Sequence, residues 1–262
     1  MAGRTFLGTL RLALLLAVLV FVALGAWLDR VRSRDWDTPL RVTVYPLVDD
    51  ATAATQGYVR QLQAEDFAAV PEFFAREAER HGLPLASPVQ LRISHAANAP
   101  PPALGDRPGV LTIMAWSLRL RWYAARVAWH DPLPTPDVQV FAQYAPLGDG
   151  TAAVPDSVGL SKGLVAVAHL YAGAEASGSN QVVVAHELLH TLGATDKYSP
   201  GTGQPLVPDG LGEPARQPLY PQALAEIMAG RIALDADAAA MPASLRQVVL
   251  GPATAREIGW SR

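Results

Sequence analysis

The segment His186-Glu187-Leu188-Leu189-His190 holds the densest group of chemically capable residues in the chain. On a helix, residues four apart differ by about 40° in azimuth and about 6 Å in height, so both imidazoles face the same way. Two neutral imidazoles on one face make half of a zinc site, because zinc takes nitrogen ligands at near-tetrahedral angles. Glu187 lies about 100° round the helix from His186, beside a metal rather than on it. A carboxylate there can take a proton from a water and later deliver it to a departing amine. With six histidines and nine glutamates in 262 residues, chance produces such a pentapeptide about 0.5% of the time, so the flanks decide its weight. Gly193 and Asp196 extend the pattern to HExxHxxGxxD, and requiring a glycine and then an aspartate or histidine at those positions lowers the chance to roughly 3 in 100,000. A glycine can take the left-handed conformation that ends a helix and reverses the chain. That reversal makes Asp196 available as a third ligand; its other readings are pairing with Lys197 or capping the turn.

The elements that must position this group follow from the flanking pattern. Ser177-Gly178-Ser179-Asn180 supplies turn and cap residues before a helix running to about Leu192. Leu164 to Tyr171 is apolar on both faces, so it reads as a strand inside a sheet. Further strands are expected at Arg41–Tyr45, Val89–Ile93 and Asp137–Ala145, and helices at Asp66–Arg80 and Gly251–Trp260. The block from Val110 to His130 fits two periods. Ile113, Trp116, Leu120, Ala124 and Val127 match a helix, whereas Leu118, Leu120 and Trp122 alternating with Arg119 and Arg121 match a strand; the helix is preferred. Trp116, Trp122 and Trp129 are read as core residues in preference to a membrane-surface belt. Residues 199–221 contain six prolines and four glycines, which describes an irregular loop.

HELLHTLGATD resembles the long zinc signature of the metzincin clan of metallopeptidases, with Asp196 where most members carry a third histidine. The snapalysin-type members use aspartate there and place a tyrosine two residues on, as Tyr198 stands here. Ala225-Glu226-Ile227-Met228-Ala229-Gly230 is similar to the methionine turn of that clan, which sets Met228 as an apolar floor beneath the metal. The resemblance covers roughly residues 160–230. It implies an α+β, two-lobed fold: a twisted mixed sheet with helices, including the zinc helix, above a lower lobe from about residue 194. It also implies a zinc-dependent endopeptidase with Zn2+ on His186, His190 and Asp196, Glu187 as general base and a peptide or protein substrate. Gly230 stands where some members carry a further tyrosine, so Tyr198, Tyr220 and Tyr171 remain the candidate oxyanion stabilisers.

Composition narrows the classes. The net charge of −3 comes without basic blocks, which argues against a nucleic-acid partner. The chain has no cysteine, so thiolate ligands, disulfides and a cysteine-based latency switch are excluded. Leu12 to Leu28 carries no charge and, at 1.5 Å per residue, would reach roughly 25 Å as a helix, near the short limit for a bilayer span. Residues 1–35 are therefore expected to be a signal-anchor and tether, and 36–262 an extracytoplasmic metallopeptidase domain; a cleaved export signal or a buried core helix are the alternatives.

Two rival functions stay open. One is a gluzincin-like peptidase with Glu213 or Glu226 as third ligand. The other is a non-catalytic, membrane-anchored binding protein on a degenerate protease fold. Among the remaining histidines, His169 could approach the cleft but suits packing better, and His81, His95 and His130 adjoin turn or proline signals and are read as solvated.

Overall fold

Alternation of side chains along three strands sets the architecture. The computed structural model describes residues 35–49, 52–105, 109–147, 158–160 and 164–261. In β1 (Leu40–Val48), Leu40, Val42 and Val44 enter one buried cluster while Tyr45 and Leu47 enter another. The same division separates Val138, Val140 and Ala142 from Phe141 in β3 (Val138–Pro146), and Ala166, Ala168 and Leu170 from Val165 and Val167 in β5 (Val165–Ala172). A strand period of two puts successive side chains on opposite faces, so a run apolar at every position needs cover on both sides.

With β2 (Val89–Ile93) and β4 (Val158–Leu160), these strands form one five-stranded sheet of order β2-β1-β3-β5-β4. Four strands are parallel, and β4 lies antiparallel to β5 at the edge. The fold is α+β, with helices α1 (Ala53–Gln61), α2 (Ala69–Arg80), α3 (Val110–His130) and α4 (Ser177–Thr191) on the sheet, and the short α5 (Pro252–Glu257) near the end. Pro71 falls in the first turn of α2, where its missing N–H costs no helical bond.

The larger cluster lies under α1, α2 and α4 and continues into the segments after Gly193, taking in Ile227, Met228, Leu245, Leu250, Ile258 and Trp260. Each fully buried Leu, Ile or Phe of this cluster contributes roughly 1.5–3 kcal/mol. The segments after Gly193 are held by short pairings: β6 (Ala225–Glu226) runs parallel to β9 (Val248–Val249), and β7 (Ile232–Ala233) antiparallel to β8 (Ala239–Ala240). Arg76 of α2 reaches across to the carbonyls of Leu245 and Val248. At the start of the described chain, Trp36 donates from Nε1 to the Ile258 carbonyl (2.8 Å) and meets Trp260 edge-on.

Helix α3 covers the other sheet face, burying Trp116, Leu120, Ala124 and Val127 against Tyr45, Phe141, Val165 and Val167. The helical reading of this block holds, but the core assignment of its tryptophans needs correction. Only Trp116 is buried, donating to the Pro102 carbonyl at 2.7 Å, whereas Trp122 and Trp129 are exposed. At 100° per residue Trp122 and Trp129 fall about 240° and 220° round the helix from Trp116, away from the buried stripe, and the sequence offered apolar residues on both sides. His81 is also half-buried rather than solvated, with Nε2 at 2.8 Å from the Leu250 carbonyl. Among the described residues no helix is long and apolar enough to cross a membrane. The expected anchor, Leu12 to Leu28, lies outside the described residues.

Candidate metal centre

Helix α4 carries the His/Glu/His group, packed beside β5 with Val182, Val184, Ala185, Leu188 and Leu189 buried. Its C-terminus closes as the sequence required. Gly193 takes φ +97°, its N–H bonds the His190 carbonyl at 3.0 Å, and the Ala194 N–H bonds the Leu189 carbonyl at 3.1 Å. This pair of bonds is a Schellman closure, and its left-handed residue is where glycine avoids the Cβ penalty.

The reversal returns Asp196 to the helix face. Its Oδ1 lies 3.3 Å from His186 Nε2 and 3.1 Å from His190 Nε2. Ligands at 2.0–2.1 Å from a tetrahedral ion stand about 3.3 Å from one another, so the separations of Asp196 from the two histidines suit ligands of one zinc-sized cation. The two rings meet edge-on with centroids 4.6 Å apart. Ligand atoms of His186, Glu187 and His190 all lie within 4.8 Å of one another.

The outer contacts fix which nitrogen faces the site. His186 Nδ1 lies 2.9 Å from the Ile227 carbonyl, and His190 Nδ1 lies 3.0 Å from the Ala194 carbonyl. A carbonyl can only accept, so both Nδ1 atoms carry hydrogen and both Nε2 atoms are available toward Asp196. Nitrogen lone pairs and a carboxylate cannot share that space without positive charge, supplied either by two protons or by one divalent ion. The titration directions say the same. Burial works to lower the His186 pKa, but Asp196, Glu187 and the Ile227 carbonyl outweigh it and raise it above the usual value. Burial works to raise the Asp196 carboxyl, yet bonds from both histidines hold it well below the carboxylate range.

Glu187 is the buried member. It is 3% exposed, and Oε2 is enclosed without a hydrogen-bond partner among the described residues. Burial raises its pKa, the two histidines offset part of the rise, and Asp196 adds to it. A carboxylate held this way accepts a proton more readily than one in water.

The turn below is built as tightly. Met228 is fully buried, and its carbonyl accepts the Lys197 N–H at 3.0 Å, tying this turn to the Asp196 loop. Glu226, also fully buried, accepts from the N–H groups of Met228 (2.6 Å), Ala229 (3.1 Å) and Gly251 (3.1 Å) and from Thr254 Oγ1 (2.7 Å). Its role is therefore to hold the turn whose Ile227 carbonyl orients His186. Glu213 is likewise engaged elsewhere, with Arg216 at 3.2 Å and the Ala223 N–H at 2.6 Å. Tyr198 follows Asp196 in the loop and bridges Pro205, and His169 is half-buried on β5.

One support of the site had no signal in the sequence. Lys197 does not pair with Asp196; its ammonium lies 2.8 Å from Glu257 Oε1, while Glu257 also accepts from the Thr195 N–H (2.9 Å) and hydroxyl (2.8 Å). The residues on both sides of Asp196 are thus clamped to α5. Burial would raise the Glu257 carboxyl, but the Lys197 and Thr195 donors win and hold it below its ordinary 4.5. A depressed folded pKa gives stability that is present above the unfolded value and lost as pH falls through the folded one. Glu257→Gln should therefore cost about 1–2 kcal/mol near neutral pH, and less under acid conditions where the parent also loses the clamp. Thermal melts of both proteins from pH 7 to pH 3 check this, and the gap between them should narrow below about pH 4.5.

No known family model matches the chain, and no curated protein matches it in sequence.

Proposed function

We propose that this protein is a metzincin-like, zinc-dependent endopeptidase, with His186, His190 and Asp196 as metal ligands and Glu187 as general base. The observation that carries this reading is one arrangement. An Asp196 oxygen stands against Nε2 of both histidines, with the enclosed, unpartnered Oε2 of Glu187 close by. Zinc held by those three side chains would polarise a scissile carbonyl and bring the pKa of a water toward ~7.

The protein's own groups supply the rest. Glu187 accepts a proton as water oxygen adds to the carbonyl carbon. Its raised affinity for that proton suits holding it until the C–N bond breaks, when the departing nitrogen takes it up. The buried Met228 would close the underside of the site with an apolar surface, and the Ile227 and Ala194 carbonyls keep both imidazoles in one tautomer and one orientation. Residues 199–221 would form one rim of the cleft, and Tyr198 is a candidate to stabilise the oxyanion. The mixed sheet and helix α4 are consistent with the fold the resemblance implies. The uncharged run at 12–28 would tether the enzyme to a membrane, with the catalytic domain on its extracytoplasmic side.

The rivals fare less well on specific contacts. Glu213 and Glu226 both spend their oxygens on other donors, which favours Asp196 as the third ligand. A binding scaffold has no use for a buried carboxylate oxygen without a donor, an arrangement that costs on the order of 1–3 kcal/mol. The test is cleavage of a broad peptide library. Activity should disappear on treatment with a zinc chelator and return with added zinc. A zinc-loaded, folded protein that cleaves none of the peptides would favour the binding-protein reading.

A further inference from the structure

Helix α3 buries one stripe and presents another. Opposite Trp116, Leu120, Ala124 and Val127 run Leu111, Ala115, Leu118, Trp122, Ala125 and Trp129, spaced 4, 3, 4, 3 and 4 residues apart along the outer face. Leu111 is 80% exposed, Trp122 74% and Trp129 86%. A helix on a sheet ordinarily turns polar residues outward, and a continuous outward apolar stripe marks an interaction surface.

The charge beside the stripe selects the partner. Helix α3 has three arginines and no acidic residue. Arg119 and Arg126, one heptad apart on the same edge of the stripe, are both exposed and form no ion pair among the described residues. Two grooves run between α3 and the loop before it. One, of about 350 Å³, is lined by Pro102, Leu104, Trp116 and Arg119, and the other, of about 310 Å³, by Ala99, Tyr123, Arg126 and His130. Each groove thus sets a cation beside apolar walls, which suits an anionic headgroup above an acyl chain. A second copy of α3 would match the 4-3 spacing, but without acidic residues it would set arginine against arginine.

We propose that the outer face of α3 seats on an anionic lipid surface, with Leu118, Trp122 and Trp129 entering the interface and Arg119 and Arg126 meeting headgroups. A chain whose residues 12–28 are expected to enter a bilayer would keep the whole domain near lipid, which raises the effective concentration of the surface for this face. The inference is independent of the peptidase reading.

The chain has no cysteine, so single reporters can be placed without background. Full-length protein carrying Leu118→Cys or Trp122→Cys is labelled with a polarity-sensitive fluorophore. Glu65→Cys, exposed beside the core on the other sheet face, serves as the reference. Each protein is reconstituted into phosphatidylcholine vesicles with or without phosphatidylglycerol, and quenching by nitroxide-bearing lipid is measured. Probes at 118 and 122 should be quenched in the anionic vesicles and the probe at 65 should not. Arg119→Gln with Arg126→Gln should lower the docked-to-undocked ratio roughly 30-fold, about tenfold per 1.4 kcal/mol at about 1 kcal/mol per arginine. All of these sites are exposed, so the core should survive the changes, and a thermal melt matching the parent checks it. Three results would overturn the proposal: quenching at 118 and 122 no greater than at 65, quenching unchanged without phosphatidylglycerol, or pyrene excimers at 122 without lipid quenching, which would identify a second copy on this face.

Discussion

Glu187→Gln should leave the protein folded and metal-loaded while lowering peptide cleavage by at least about 10²–10⁴-fold. The amide fills the same volume in the enclosed position and keeps an oxygen, so packing around α4 is retained. It cannot take up a proton, and the Glu187 carboxylate is the proposed acceptor of the proton from the attacking water. Burial should make the variant slightly more stable, because a neutral amide avoids desolvating a carboxylate. Zinc content, a thermal melt and a turnover measurement on one susceptible peptide check the three parts together. Near-parental turnover with zinc still bound would move the base to another residue.

Asp196→Ala is expected to have the larger effect on the metal itself. Its carboxylate is the group that stands against both Nε2 atoms, at 3.3 and 3.1 Å. Removing it leaves two imidazoles and a wide opening, and zinc affinity should fall by more than the 10- to 100-fold typical of losing an outer contact. Activity should be eliminated at ordinary zinc concentrations. Glu213→Ala is the matched control, because that carboxylate serves Arg216 and the Ala223 N–H, and it should keep its zinc. Glu226→Gln should also keep zinc, at some cost in melting temperature, since the buried carboxylate holds the Met228 turn through four donors. Competition with a fluorescent zinc chelator ranks all four proteins. Loss of zinc from the Glu213 or Glu226 variant, with Asp196→Ala retaining it, would install the gluzincin-like ligand set instead.

The site was legible because its central elements are local. Two histidines four apart, a glutamate between them and a glycine at the helix end are read from spacing alone, and helix geometry then fixes what they face. Strand β5 was legible because both of its faces are apolar, and β1 and β3 because β-branched and aromatic residues recur along them, although Thr43, Gln139 and Gln143 interrupt the apolar pattern. The remainder depends on contacts distant in sequence. Glu257 lies 60 residues from Lys197, and the Ile227 carbonyl that orients His186 is a backbone group that no residue type announces. Helix α1 was missed because AATQGYVRQ has weak apolar periodicity and an internal glycine, and its start rests on the Thr52 side chain accepting the Thr55 N–H. In α3 the apolar residues on both sides gave two competing periods, and only the fold shows that one of its stripes stays outside.

X-ray absorption at the zinc edge of the zinc-loaded protein bears most directly on the central claim. About one zinc per chain is expected, with two imidazole nitrogens at about 2.0–2.1 Å and carboxylate oxygen at about 2.0–2.2 Å. The imidazole signal should shrink in a His186→Ala or His190→Ala variant. A protein that holds no transition metal after zinc reconstitution at neutral pH, or whose zinc lacks imidazole ligands, would contradict it.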